Sequence, residues 1–123
     1  MTTKNQTFLK RLEIAFLGII AAFKQEANFR IQSVVAVVVI FFTMVLGLDS
    51  VEKSVMFLTI LVVLSLELIN SQIEKFLDII EPKLHIKVKI IKDFSAGAVL
   101  LSALGSIIIG WLILMPHILS IIR

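Results

Sequence analysis

Residues 55–78 read VMFLTILVVLSLELINSQIEKFLD, and this stretch decides the fold. It is apolar through Leu66, and a span drawn from Ser54 to Ile73 is long enough to cross a bilayer. Its far end nevertheless carries Glu67, Asn70, Ser71, Glu74 and Asp78. At 100° per residue the last four fall at about −60°, +40°, −20° and +20° from Glu67, so a single helix face holds the whole polar stripe. Ionisable groups inside a spanning helix are expensive, and they mark a functional site by default.

Outward from this stretch the chain is uniformly oily. Of its 123 residues 59% are hydrophobic and only 17% charged, and the mean hydropathy is +1.04. That composition excludes an ordinary soluble domain and predicts an all-α integral membrane protein with one membrane-embedded domain over residues 1–123. The net charge of +3 does not suggest nucleic acid, because the basic residues flank apolar segments and have no aromatic stacking residues between them. The absence of cysteine removes disulfides, thiolate metal sites and cysteine nucleophiles together.

Two more spans complete the pattern. Residues 31–48 carry no charge over roughly 27 Å of helix, close to the hydrocarbon thickness. The third is drawn at 94–115, with Pro116 expected to end or bend it near the interface. The short segment Asp49–Lys53 is expected to join the first two spans as a tight hairpin. Ahead of them, residues 5–26 lack the continuous apolar core of a signal peptide. Phe8, Leu12, Ala15, Phe16, Ile19 and Phe23 instead recur at helical spacing, which predicts an amphipathic helix in the headgroup plane.

Lysines and arginines orient the bundle. Lys4, Lys10, Arg11, Lys24 and Arg30 precede the first span, and Lys75, Lys83, Lys87, Lys89 and Lys92 lie in the 74–93 connection, whereas only Lys53 and Arg123 fall on the opposite side. Positive residues are retained in the cytoplasm. The expected topology therefore has the N-terminus and the 74–93 connection inside and the C-terminus outside. In the third span Ala98, Ser102, Ser106 and Gly110 lay small side chains along one face, a pattern suited to close helix packing. So few spans cover little of their own surface, and a homo-oligomer is expected.

The stripe divides by depth. Glu67 and Glu74 are about 10 Å apart along the axis, one below the interface and one at headgroup level. Desolvation makes a carboxylate a better proton acceptor near neutral pH, so the deeper glutamate suits a general base. Glu74, reachable from water, suits a divalent cation such as magnesium, which takes one or two carboxylates and completes its shell with water and substrate phosphates. Recognised nucleotide loops are missing: neither GxxxxGK[ST] nor GxGxxG occurs, and there is no HExxH. His85 and His117 read more simply as interface residues than as ligands.

The run Glu67-Leu-Ile-Asn70-Ser71-Gln-Ile-Glu74-Lys-Phe-Leu-Asp78 resembles the prokaryotic diacylglycerol kinase pattern, Glu-x-x-Asn-[Ser/Thr]-Ala-Ile-Glu with an aspartate four residues on. Gln25-Glu26-Ala-Asn28-Phe29-Arg30 before the first span and Lys92-Asp93 before the third stand where that family has its other polar motifs. The resemblance implies a small homotrimeric kinase of the bacterial inner (cytoplasmic) membrane, with active sites at subunit interfaces facing the cytoplasm. It would use MgATP to phosphorylate a lipid hydroxyl, on diacylglycerol or undecaprenol. By position, Glu67 would be the catalytic base, and Glu26 and Glu74 would hold the metal. Lys92, Asp93 and His85 would contact ATP, while Asn28, Arg30, Asn70, Ser71 and Ala96 would shape the lipid site.

The chain departs from the family pattern at Gln72, where alanine is usual, and at Ile14, which stands where some members place an aromatic nucleotide contact. Asn28-Phe29-Arg30-Ile31, Ala96-Gly97-Ala98-Val99 and Met115-Pro116 look more like the undecaprenol kinase branch. Two other classes stay open on the residues alone. A small oligomeric channel or proton-coupled transporter also buries acids on one face, although it has no need of Glu26, Lys92 and Asp93 at one surface. A non-catalytic assembly subunit would keep the spans and lose the chemistry.

Overall fold

A computed structural model describes residues 7–81, 83 and 85–123. Four α-helices account for nearly all of them: α1 (Phe8–Gln25), α2 (Ala27–Val45), α3 (Ser50–Ile80) and α4 (Ile86–Ile122). The last three are long and apolar enough to cross a membrane. Residues 5 and 6 of the expected surface helix, and residues 82 and 84 of the expected connection, lie outside the described residues.

Each helix end has a local cause. Thr7 caps α1, its hydroxyl accepting the Lys10 N–H at 3.3 Å. α1 and α2 are separated by Glu26 alone, whose extended backbone (φ −106°, ψ 107°) interrupts the helical ladder for one residue. The carbonyls left over at the end of α1 are taken up by Arg30, which donates Nη1 to Phe23 O at 2.9 Å and to Lys24 O at 3.0 Å. Arg30 thus fixes the corner between the two helices from inside α2.

The α2–α3 turn lies earlier than the expected 49–53. α2 stops at Val45, Gly47 takes a left-handed conformation at φ 76°, and Asp49 caps α3, so Val51, Glu52 and Lys53 are already helical. The reason is a capping box: Asp49 Oδ1 accepts Glu52 N–H at 2.8 Å, and Glu52 Oε1 accepts Asp49 N–H at 3.1 Å. The charges that the sequence reading places in the turn build a helix start instead.

The polar connection and the Pro116 end of the third span are both built on helix. Residues 74–93 are mostly helix, because α3 runs on to Ile80 and α4 begins at Ile86. At 1.5 Å per residue α3 and α4 are about 46 and 55 Å long, well beyond a hydrocarbon core of about 30 Å. Both therefore project past it as a helical hairpin. Pro116 does not end α4, which continues to Ile122. A proline costs the helix one hydrogen bond, and beyond it His117 Nε2 contacts both Glu52 carboxylate oxygens at 3.1 and 3.2 Å, tying the last turns of α4 to the first turn of α3.

Packing is centred on α3, which lies against α4 and α2, while α1 packs on α2. Its buried residues are Met56, Val63, Glu67, Asn70 and Ser71, spaced by seven, four, three and one, so they form one face. The small-residue strip of α4 is partly used within the chain: Ser106 and Gly110 line a hollow shared with Val35 and Val39 of α2 and Met56 and Thr59 of α3. α4 nonetheless buries no residue of its own.

Substituting Gly47→Ala places a side chain in open space and so costs only the left-handed backbone, about 1–2 kcal/mol. Asp49→Ala removes the cap at about 1 kcal/mol. Thermal unfolding in detergent micelles should show both losses, and because the two act at neighbouring points of one turn they should not add fully.

Candidate active site

The buried face of α3 changes character part-way along. Met56 and Val63 fill it with apolar side chains, and then Glu67 and Asn70 occupy the same face at 5% and 9% exposure. Ser71 satisfies its hydroxyl inside the helix by donating to Leu68 O at 2.9 Å. Asn70 does less well. Its Nδ2 reaches Glu74 Oε1 at 3.5 Å, but its buried Oδ1 has no hydrogen-bond partner among the described residues. A buried carbonyl of this kind costs about 1–3 kcal/mol unless something occupies it.

Glu26 joins this face from the break between α1 and α2. Glu74 and Glu26 both lie within Coulombic reach of Glu67, so the fold gathers carboxylates from α3 and from the α1–α2 corner. Lys75 pairs with Glu26 Oε1, and that oxygen is buried without a hydrogen bond of proper geometry. A groove of about 450 Å³ runs alongside, between α1 and α3, lined by Ala15, Gly18, Ala22, Glu26, Leu68 and Lys75. It is apolar along its length and charged at one end.

The donor set is that of a hard cation. It offers carboxylate oxygens and an unused amide oxygen, with neither sulfur nor imidazole. Among the described residues no three acidic, histidine or cysteine side chains already form a metal cage. The arrangement fits an ion such as magnesium that takes one or two protein carboxylates and leaves most of its shell to water and phosphate.

A second polar group sits at the α3–α4 turn. Lys92 Nζ contacts Asp78 Oδ1 at 2.5 Å and Lys89 Nζ contacts Asp93 Oδ2 at 2.7 Å. Together with Glu81 and Lys83 these residues line a hollow of about 210 Å³. His85 caps α4, its Nδ1 accepting the Lys87 N–H at 3.1 Å. No hydrogen bond or ion pair among the described residues connects this group to the first.

The sequence-derived candidates therefore fall into distinct sets. Glu26, Glu67, Asn70 and Glu74 come together, with Ser71 beside them. Lys92 and Asp93 belong to the turn, each already paired with an opposite charge. Asn28 and Ala96 are exposed, Ile14 is 47% exposed on α1, and Arg30 spends one nitrogen as the cap of α1. Lys75, which the sequence reading uses only for topology, reaches this cluster through Glu26. Its signal was available, since it is the sole basic residue between Lys53 and Lys83.

The model of the prokaryotic diacylglycerol kinase family matches residues 13–114, a stretch that includes all of α2 and α3 and most of α1. The chain belongs to the prokaryotic diacylglycerol kinase family. Among its relatives, the diacylglycerol kinase of Synechocystis sp. is 38% identical over 108 residues, covering 87% of this chain and 62% of that protein. The undecaprenol kinase of Bacillus subtilis is 37% identical over 111 residues, 90% of each chain. The diacylglycerol kinase of Escherichia coli is 26% identical over 116 residues, 94% of this chain and 95% of the relative. Membership in a family of lipid kinases and three spanning-length helices make the chain a multi-pass membrane protein.

Arg30→Ala should uncap α1 without touching the carboxylates. Amide hydrogen exchange should then rise across the last turn of α1 while the protection of α3 is unchanged.

Proposed function

We propose that this member of the family is an ATP-dependent kinase acting on the hydroxyl of a membrane lipid, with Glu67 as general base. The observation that carries the reading is the burial of Glu67 and Asn70 on the packed face of α3, beside Glu26 and Glu74. A carboxylate sunk among apolar side chains is placed to take a proton from an alcohol that arrives through the lipid. Glu67 accepts the hydroxyl proton, the alcohol oxygen bonds to the γ-phosphorus, and the bond from that phosphorus to the β–γ bridging oxygen breaks to release ADP. Such a transfer asks chiefly for positioning and charge neutralisation, and no recognised nucleotide loop is required.

Glu26 and Glu74 are the residues that would hold Mg²⁺, whose chemistry when bound is to neutralise the phosphates of ATP. Asn70, with its unpartnered Oδ1, lies one turn from Glu67 and would orient the incoming hydroxyl by accepting its hydrogen bond before the proton moves to the base. The groove between α1 and α3 gives an apolar tail a path that ends at Glu26. Lys92 and Asp93, with His85 at the cap of α4, would meet ATP from the α3–α4 turn. The nucleotide would link that group to the carboxylates.

The substrate we favour is undecaprenol rather than diacylglycerol. The motifs around Asn28 and Ala96 look like that branch, and a relative named undecaprenol kinase matches over 90% of both chains. The site faces the cytoplasm of the bacterial inner membrane in this reading, with α1 lying in the headgroup layer. A homotrimer would bring the turn of one protomer to the carboxylates of the next, which agrees with an α4 that buries nothing within its own chain.

Purified protein in lipid with MgATP should transfer phosphate to undecaprenol in preference to diacylglycerol when the two are assayed side by side. Glu67→Gln should lower turnover by about 10²–10⁴-fold with little change in the apparent affinity for ATP. Ion flux in place of phosphate transfer would establish a channel instead. Glu74→Gln should raise the Mg²⁺ concentration needed for half-maximal rate, read from metal titrations at saturating ATP.

A further inference from the structure

Among the described residues Lys75 is the one base that enters the carboxylate cluster by direct contact, through Glu26. Its place there is unusual in three respects. It stands one residue after Glu74, on a helix that carries no other basic residue from Ser54 through Ile80. It remains 48% exposed while Glu26 is 20% exposed, so its ammonium keeps access to water and to the groove between α1 and α3. Its partner oxygen, Glu26 Oε1, is buried and accepts no hydrogen bond among the described residues, so the ion pair is its one contact there.

The charge balance gives the pair a meaning. With all of them ionised, Glu26 and Glu74 each add a negative charge within reach of Glu67, and Lys75 returns one positive charge. The excess is two negative charges. Arg30, the next base along the chain from Glu26, is directed at the carbonyls of α1 instead. A second and independent mark of a missing ligand is Asn70 Oδ1, nine-tenths buried and without a partner on the same face.

We propose that Lys75 is a built-in counter-ion of the metal site: it holds Glu26 while nucleotide is absent and yields that carboxylate when a divalent cation arrives with the phosphates. This rests on the assignment of Glu26 and Glu74 as metal ligands. Without nucleotide, a free cation must displace an ammonium whose one anionic partner among the described residues is Glu26. When phosphates come with the cation, the released ammonium finds an anion within reach of its flexible stem. Lys75 thereby favours arrival of metal and nucleotide together over metal alone. It is a positioning residue, acting on the site through Glu26.

The test is Mn²⁺ binding followed by electron paramagnetic resonance, using the full chain in phosphatidylcholine nanodiscs without nucleotide. Lys75→Met should bind Mn²⁺ about fivefold more tightly than the unsubstituted protein, the effect of freeing a half-exposed ion pair. Lys75→Gln should behave alike, while Lys75→Arg should restore weak binding. With a non-hydrolysable ATP analogue present, the advantage of Lys75→Met should disappear. Lys24→Met removes a nearby charge that has no ion pair among the described residues, and should leave the affinity unchanged.

Equal tightening by Lys24→Met would reduce the effect to general surface charge and overturn the proposal. Unchanged affinity in Lys75→Met and Lys75→Gln, with binding lost in Glu26→Gln, would overturn it while leaving the metal assignment standing. Unchanged affinity in Glu26→Gln would remove the metal assignment and the proposal with it.

Discussion

A carboxylate and an amide must be accommodated on the face that α3 uses to pack. Glu67 and Asn70 continue the line of Met56 and Val63, so the same surface that holds the bundle together has to keep them away from lipid. Burying an ionised group without compensation costs several kcal/mol or more, and an all-helical membrane protein has few ways to offset it. Here α1 and α2 meet beside the stripe, Glu26 pairs with Lys75 next to it, and α4 is held to α3 at both extremities. At one end the contact is Lys92 with Asp78, and at the other it is His117 with Glu52. The polar site determines where its neighbouring helices can pack.

That constraint explains what could be read without coordinates. The polar stripe was legible because a 3.6-residue period and a depth scale of 1.5 Å per residue apply directly to Glu67, Asn70, Ser71 and Glu74. The spans were legible from their lack of charge, and the surrounding motifs from Gln25 through Arg30 and at Lys92-Asp93. Helix ends were harder. The charges of Asp49–Lys53 read as a turn, yet Asp49 and Glu52 start a helix. Across 74–93 the helical spacing of Glu74 and Asp78 is legible, while the end of α3 at Ile80 and the start of α4 at Ile86 are not. Charge limits what enters lipid, whereas capping and backbone conformation limit helices, and the two rules diverge where a helix projects into water.

Partnerships were harder still. Lys75 with Glu26, Lys92 with Asp78 and His117 with Glu52 join residues 49, 14 and 65 positions apart, and no local period encodes such separations. Arg30 shows the same limit at shorter range. Its place in a polar motif marks it as a site candidate, and nothing local encodes that its Nη1 also meets the carbonyls left at the end of α1 by the break at Glu26. A motif identifies which side chains matter, and the fold decides how many of their bonds are already taken.

The join between α1 and α2 is one residue long, and that residue is Glu26 itself. Connectors normally absorb insertions and deletions because nothing chemical depends on their length. Here the connector and the chemical group are the same residue, so adding or removing even a single position would rotate the carboxylate away from α3 while leaving both helices intact. The turn at Leu46–Asp49, at the far end of α2, carries no such burden. Length variation among proteins built this way should therefore collect at that far turn and be purged from the corner beside the carboxylates.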